Sequence, residues 1–184
     1  FEDVLPYFIE AEVSVLCSDA LHGDSGPFLV SDLPSPRVIS TAFVEAAISN
    51  GLDLNTDFNG EKQDGTGLYQ VTHFHGEKQG QRCSAAAAYL HPVQSRSNLT
   101  VITHAQANQV IIEDKQATGV VYEKDGVKHT VMAHREVILS GGAFGSPKVL
   151  MLSGIGPAEH LQSHGIDVLV DAPDVGGNLQ DHLD

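Results

Sequence analysis

The chain has 184 residues, 41% hydrophobic and 18% charged, which suits one large domain or two small ones. Ten Lys and Arg against 24 Asp and Glu give a formal net charge of −14, and without a basic cluster this argues against nucleic acid as a partner. No apolar run approaches the roughly 20 residues of a membrane span.

The amino end, FEDVLPYFIEAE, has no basic stretch ahead of an apolar one and does not read as a signal peptide; opening on Phe inside an amphipathic pattern, the chain reads as an internal piece. Residues 1–12 place Val4, Leu5, Phe8 and Ile9 on one side of a helix end. HGDSGPFLVSDLPSP, from His22, is turn-rich around a short strand, Phe28 to Val30. Val38 to Asn50 has helical spacing, with Gly51 as the residue beyond its cap. Residues 52–67 read as loop, and an apolar segment, Leu68 to Val71, precedes HFHGEKQGQR. Cys83 to Leu90 reads as a short helix stopped by His91-Pro92.

From residue 98 the texture turns to β. NLTVITH, NQVIIED, ATGVVYE, KHTVMAH and EVILS are five short runs rich in Val and Ile, several separated by tight turns such as Lys124 to Gly126. EVILS, Glu136 to Ser140, reads as a buried strand. Two helices follow, Pro147 to Leu152 and Pro157 to His164, each with Pro at its first position, and a last strand and glycine turn close the chain.

GGAFGSPKVLMLSGIG, Gly141 to Gly156, is the informative stretch. A strand that enters a glycine-rich turn and a helix start leaves room for a ligand or another backbone to come close. Ser146 is placed to cap the helix from Pro147, and a helix start of this kind suits a phosphate or ribose. The plainer alternative is that small residues let helix and strand pack tightly. The dinucleotide fingerprint G-x-G-x-x-G is absent, because Gly154-Ile155-Gly156 runs into Pro157-Ala158-Glu159, so the turn reads as the second half of a site.

Gly142 to Gly156, a run of 15 positions, resembles the second signature of the glucose–methanol–choline (GMC) oxidoreductases. HGDSGPFLVS, RCSAAAAYLHP, SNLTVITHA and VGGNLQDHLD resemble the choline and alcohol dehydrogenase branch of that family, in the same order. The resemblance implies an α/β fold, α+β within this piece: part of a Rossmann-type FAD-binding domain with a β-meander, plus part of the substrate-binding lobe. It implies that residues 1–97 belong to the substrate or cap region with linking helices. Residues 98–156 would belong to the FAD-binding domain, and 157–184 would start the connection to the substrate domain. The cofactor implied is FAD. Its contacts here would be the main chain at Ala107 for the adenine end and the turn Ser140, Gly141 and Gly142 for the ADP-ribose. Asn178, Gln180, Asp181 and His182 match the segment leading toward the substrate domain. No catalytic residue is expected in this chain, since the family's His base would lie beyond it, as the pyrophosphate loop would lie before it. The reaction implied is oxidation of an alcohol, choline or another primary alcohol, to an aldehyde, in a cytoplasmic or membrane-peripheral protein. The alternatives are a non-catalytic nucleotide- or partner-binding module, and a lyase on the same scaffold.

Other residues invite rival readings. His73 and His75 alternate as on a strand, but two ligands without a third make a weak zinc case, and no metal is expected. Ser25 in GDSG has the flank of a protease nucleophile but no triad context. His182 after Asp181 reads as a structural residue, Cys83 as buried packing, and Cys17 and Cys83 as thiols without a CxxC pattern. A Rossmann-type sheet lacking its first βαβ unit exposes a strand edge, so the isolated chain is expected to self-associate.

Overall fold

The computed structural model describes residues 1–15, 19–74, 78 and 80–182. Two units divide the chain, Phe1–Val101 and Ile102–Asp184, both of mixed α and β structure.

In the first unit Pro6 sits in the opening turn of α1 (Leu5–Ala11), where its missing N–H costs nothing. The chain passes straight into β1 (Glu12–Ser14), which pairs in parallel with β2 (Phe28–Val30), Glu12 opposite Phe28. The glycines of HGDSGP have a steric reason. A Cβ on Gly23 would strike the carbonyl of Ile9, and one on Gly26 would strike the backbone of Ala11, so only glycine lets this turn lie against α1. After α2 (Val38–Ser49), Gly51 takes φ of 93° to end the helix. The 52–67 loop is tied by its own polar groups: Leu54 bridges Thr66, and Asn55 Nδ2 donates to the carbonyls of Lys62 at 2.8 Å and Asp64 at 3.3 Å. Ser31 and Val71 exchange backbone hydrogen bonds of 2.9 and 2.7 Å beyond the end of β2. Cys83, fully buried and a free thiol, accepts from the Leu29 amide at 3.4 Å and so sits under β2.

In the second unit, three antiparallel strands form a meander: β3 (Ala105–Glu113), β4 (Gln116–Lys124) and β5 (Val127–Met132). Both turns are two residues long with positive φ at each, Asp114-Lys115 at 48° and 66° and Asp125-Gly126 at 54° and 76°. That geometry matches the right-handed twist of the strands it joins, and Asp and Gly reach it at least cost. Extra residues at Asn108 on β3 and Thr118 on β4 bulge the first hairpin. α3 (Gly142–Leu152) packs on β3, burying Val149 and Val110; α4 (Ala158–Ser163) buries Leu161. Each such side chain is worth about 1.5–3 kcal/mol when removed from water. β6 (Ile155–Gly156) and β7 (Val170–Asp171) pair in parallel, and Asp171 Oδ1 accepts from the Ala158 amide at 3.0 Å to start α4.

Four local expectations are corrected. NLTVITH forms no strand: the sheet begins at Ala105, after His104 turns the chain with φ of 54°. EVILS is extended without a ladder partner among the described residues, and Ile138 is 75% exposed rather than buried. The helix placed at Pro147 begins five residues earlier, at Gly142, with Pro147 inside it; the second helix begins at Ala158, with Pro157 as its cap. The helix expected to stop at His91 is a π-helical turn, Ala86–Leu90, that tightens into a 3-10 turn, His91–Val93. Pro92 is tolerated there because the first turn needs no N–H from it. Among the described residues no helix is long and apolar enough to cross a membrane.

Candidate cofactor site

The start of α3 carries three glycines in three different steric situations. Gly141 caps the helix, and a Cβ there would press against Gly145 and Ser146 at 3.0 Å, because the chain folds back on its own helix. Gly142 has free space around it but a φ of 76°, which other L-residues rarely adopt. Gly145 has neither constraint: its φ is ordinary, and a Cβ would meet nothing within 4 Å. Glycine in a helix costs about 0.5–1 kcal/mol relative to alanine, and nothing in this chain repays that cost at Gly145. Space left open on the first turn of a helix is what a bound group needs.

Ser146 does not cap the helix from outside. From within the second turn its Oγ accepts from the Gly141 amide at 2.9 Å, fixing the entry of the chain. Pro147 lacks the N–H that would bond the Ala143 carbonyl, and Ala143 is exposed. The first amides of α3 have no intrahelical acceptor either, and the helix end carries roughly half a positive charge. Across from them the segment 174–180 folds back, with Gly176 at φ of 78° against Met151 and Pro147. Between the two lies a cavity of about 740 Å³, lined by Phe144, Ser146 and Pro147 on one side and Gly177, Asn178 and Gln180 on the other. Asn178 takes φ of 51°, and its Oδ1 accepts from Gln180 Nε2 at 2.9 Å. Asp181 Oδ1 accepts from the His182 amide at 2.8 Å.

Ala107 is half-buried on β3, beside the bulge at Asn108; its carbonyl accepts from Gln106 Nε2 at 3.0 Å. Three residues on, the buried Val110 amide donates to Ser153 Oγ at 2.8 Å, and that hydroxyl donates to the Val149 carbonyl at 2.6 Å. Sequence reasoning passed over Ser153, whose only signal was a hydroxyl at the end of an apolar helix. It bolts the C-terminal end of α3 to β3, while Ser140, Gly141 and Gly142 lie at the other end. No hydrogen bond joins Ala107 to that turn.

Elsewhere, Ser25 is exposed and bonded to no imidazole among the described residues. His73 bridges to Arg82, and its Nδ1 is buried with no hydrogen-bond partner among the described residues; His75 and Cys17 lie outside the described residues. Among the described residues no three His, Cys, Asp or Glu side chains converge as a metal centre. The convergence of titratable groups that sequence reasoning missed is in the first unit, where His22 lies between Glu12 and Asp57.

The GMC oxidoreductase family model matches residues 1–184, and the chain is a member of that family. It is 47% identical over 184 residues to the oxygen-dependent choline dehydrogenase of Sinorhizobium fredii, covering all of this chain and 33% of that protein. It is 47% identical over 165 residues to alcohol dehydrogenase [acceptor] of Pseudomonas putida, covering 89% of this chain and 29% of that one. Among solved structures, an FAD-dependent oxidoreductase from Chaetomium thermophilum superposes with a TM-score of 0.83 at 28% identity, over 94% of this chain and 32% of that one. The chain thus spans about a third of the length of the relatives it matches.

Proposed function

We propose that this chain is the part of an FAD-dependent oxidoreductase that supports the adenosine half of the cofactor, in a protein that oxidises a primary alcohol such as choline to its aldehyde. The carrying observation is the 47% identity to a choline dehydrogenase along the whole chain. The cavity between the start of α3 and residues 174–180 has room for part of a bulky cofactor, and among the described residues Asp174 is the one charged residue in its lining.

FAD held there would supply the redox chemistry, the acceptance of hydride from an alcohol carbon. This chain's residues bind and orient. The main chain of Ser140, Gly141 and Gly142 would meet the ribose, with no side chain on Gly141 or Gly142 in the way, and Ser146 keeps the Gly141 amide in place. The unpaired amides of α3 face negative charge favourably. The main chain at Ala107 offers polar groups for a purine edge, and Asn178 and Gln180 close the cavity from the other side. No residue of the chain is assigned the base that removes the hydroxyl proton.

The full-length polypeptide, purified, is expected to be yellow with flavin absorbance and to turn over choline or a simple primary alcohol. A protein that stays colourless after addition of FAD removes the proposal.

A further inference from the structure

His22 is 6% exposed, and both its ring nitrogens face carboxylates: Nδ1 lies 3.1 Å from Glu12 Oε2, and Nε2 lies 3.0 Å from Asp57 Oδ2. Ionised carboxylates only accept hydrogen bonds, and a neutral imidazole carries a single N–H. With neutral His22 and ionised partners, one contact would set a ring lone pair against a carboxylate oxygen, at a ring nearly closed to water, while Glu12 and Asp57 are 18% and 29% exposed. Imidazolium satisfies both. We propose that His22 is held as imidazolium between Glu12 and Asp57, as a pH-sensitive latch joining β1, the HGDSGP turn and the 52–67 loop.

Both carboxylates are already aimed. Glu12 Oε2 also accepts from the Gly23 amide at 3.3 Å. Asp57 accepts at Oδ1 from the Asn59 amide at 3.0 Å, and its own amide donates to Asn55 Oδ1 at 2.8 Å. The charged groups around the latch are mostly negative. Asp19 Oδ1 accepts from the amides of Leu21 and His22, and Asp24 follows in the same turn. Asp19, Asp57, Glu61 and Lys62 line the adjoining cavity. On the other face, α1 and β2 contribute only apolar side chains, Leu5, Phe8, Phe28 and Val30, to a cavity whose polar groups are Glu12, His22 and Asn59.

Burial works to lower the pKa of His22, but the hydrogen bonds to Glu12 and Asp57, with their charges, outweigh it and hold the pKa above the ordinary 6.5. A folded-state pKa raised above the unfolded one means that the latch's full stabilisation is present below pH 6.5 and lost as pH rises through the folded value. Deprotonation leaves one N–H for two acceptors, and one of the tied segments is released.

Histidine-selective 15N labelling of the purified protein, read in long-range proton–nitrogen spectra across pH, tests this, with His22→Gln to assign the signal. We expect both nitrogens of His22 to carry protons at pH 6.5, a titration midpoint above that value, and a lower midpoint in Asp57→Asn. Melting temperature should fall across the same pH interval in the wild type and lose that step in Glu12→Gln. A neutral ring at pH 6.5, including one beside a protonated carboxyl, overturns the proposal, as does a midpoint that Asp57→Asn leaves unchanged.

Discussion

Ser153 satisfies two buried backbone groups at once, giving its proton to the Val149 carbonyl and taking one from the Val110 amide. Removing the hydroxyl orphans a donor on a strand residue that has no water nearby, since Ser153 is 2% and Val110 6% exposed. Ser153→Ala is therefore expected to destabilise the second unit by about 1–3 kcal/mol, measured by denaturant unfolding. An unchanged unfolding midpoint would mean that the Val110 amide finds another acceptor. His22 is the comparable residue of the first unit, except that its contribution depends on pH. Neither was legible in the sequence, because each acts through partners far along the chain: Val110 for Ser153, and Asp57 for His22.

At the scale of elements, the hairpins and the start of α2 at Val38 were legible, and the start of α3 was not. Lys124 to Gly126 marked a turn because few residues take positive φ, and local chemistry was enough. The start of α3 was misplaced because proline was given its usual first position; instead the helix accepts Pro147 in its second turn, without the N–H that would bond the Ala143 carbonyl. That shift places Gly145 on the helix, and it leads to a test that separates packing from binding. Gly145→Ala is expected to raise the stability of the cofactor-free protein by about 0.5–1 kcal/mol, since no atom resists the added methyl. In the full-length polypeptide the same change should lower flavin retained through purification, measured by absorbance per mole of protein. Higher stability with undiminished flavin would remove Gly145 from the site.

At the scale of the molecule, much apolar surface is left uncovered. On α2, Val38, Ile39 and Phe43 are 86%, 73% and 72% exposed, and the helix has no buried residue. A helix apolar around most of its circumference is ordinarily one that other structure covers. β5 carries exposed Val127, Val131 and Met132, and an exposed strand edge invites pairing. The chain spans about a third of its relatives' length, and we propose that these faces are covered in the longer polypeptide. Taken alone, the chain is expected to self-associate, with light scattering giving a mass that rises with concentration. Phe43→Glu should lower that mass, and a monomer at all concentrations would contradict the expectation.

The sequence by itself determined the family, the meander and the glycine-rich turn, because these rest on local rules: hairpin chemistry at Asp125-Gly126, the β-rich runs, and a contiguous motif from Gly142 to Gly156. Only the three-dimensional structure decided which glycine takes a positive φ, which makes a close contact and which leaves open space, since that depends on how the backbone closes around each one. The same holds for Asp171 starting α4, Ser153 bolting α3, and His22 finding two carboxylates. Hydrogen bonds across long sequence separations leave no periodicity to read; they exist only once the backbone has closed around them.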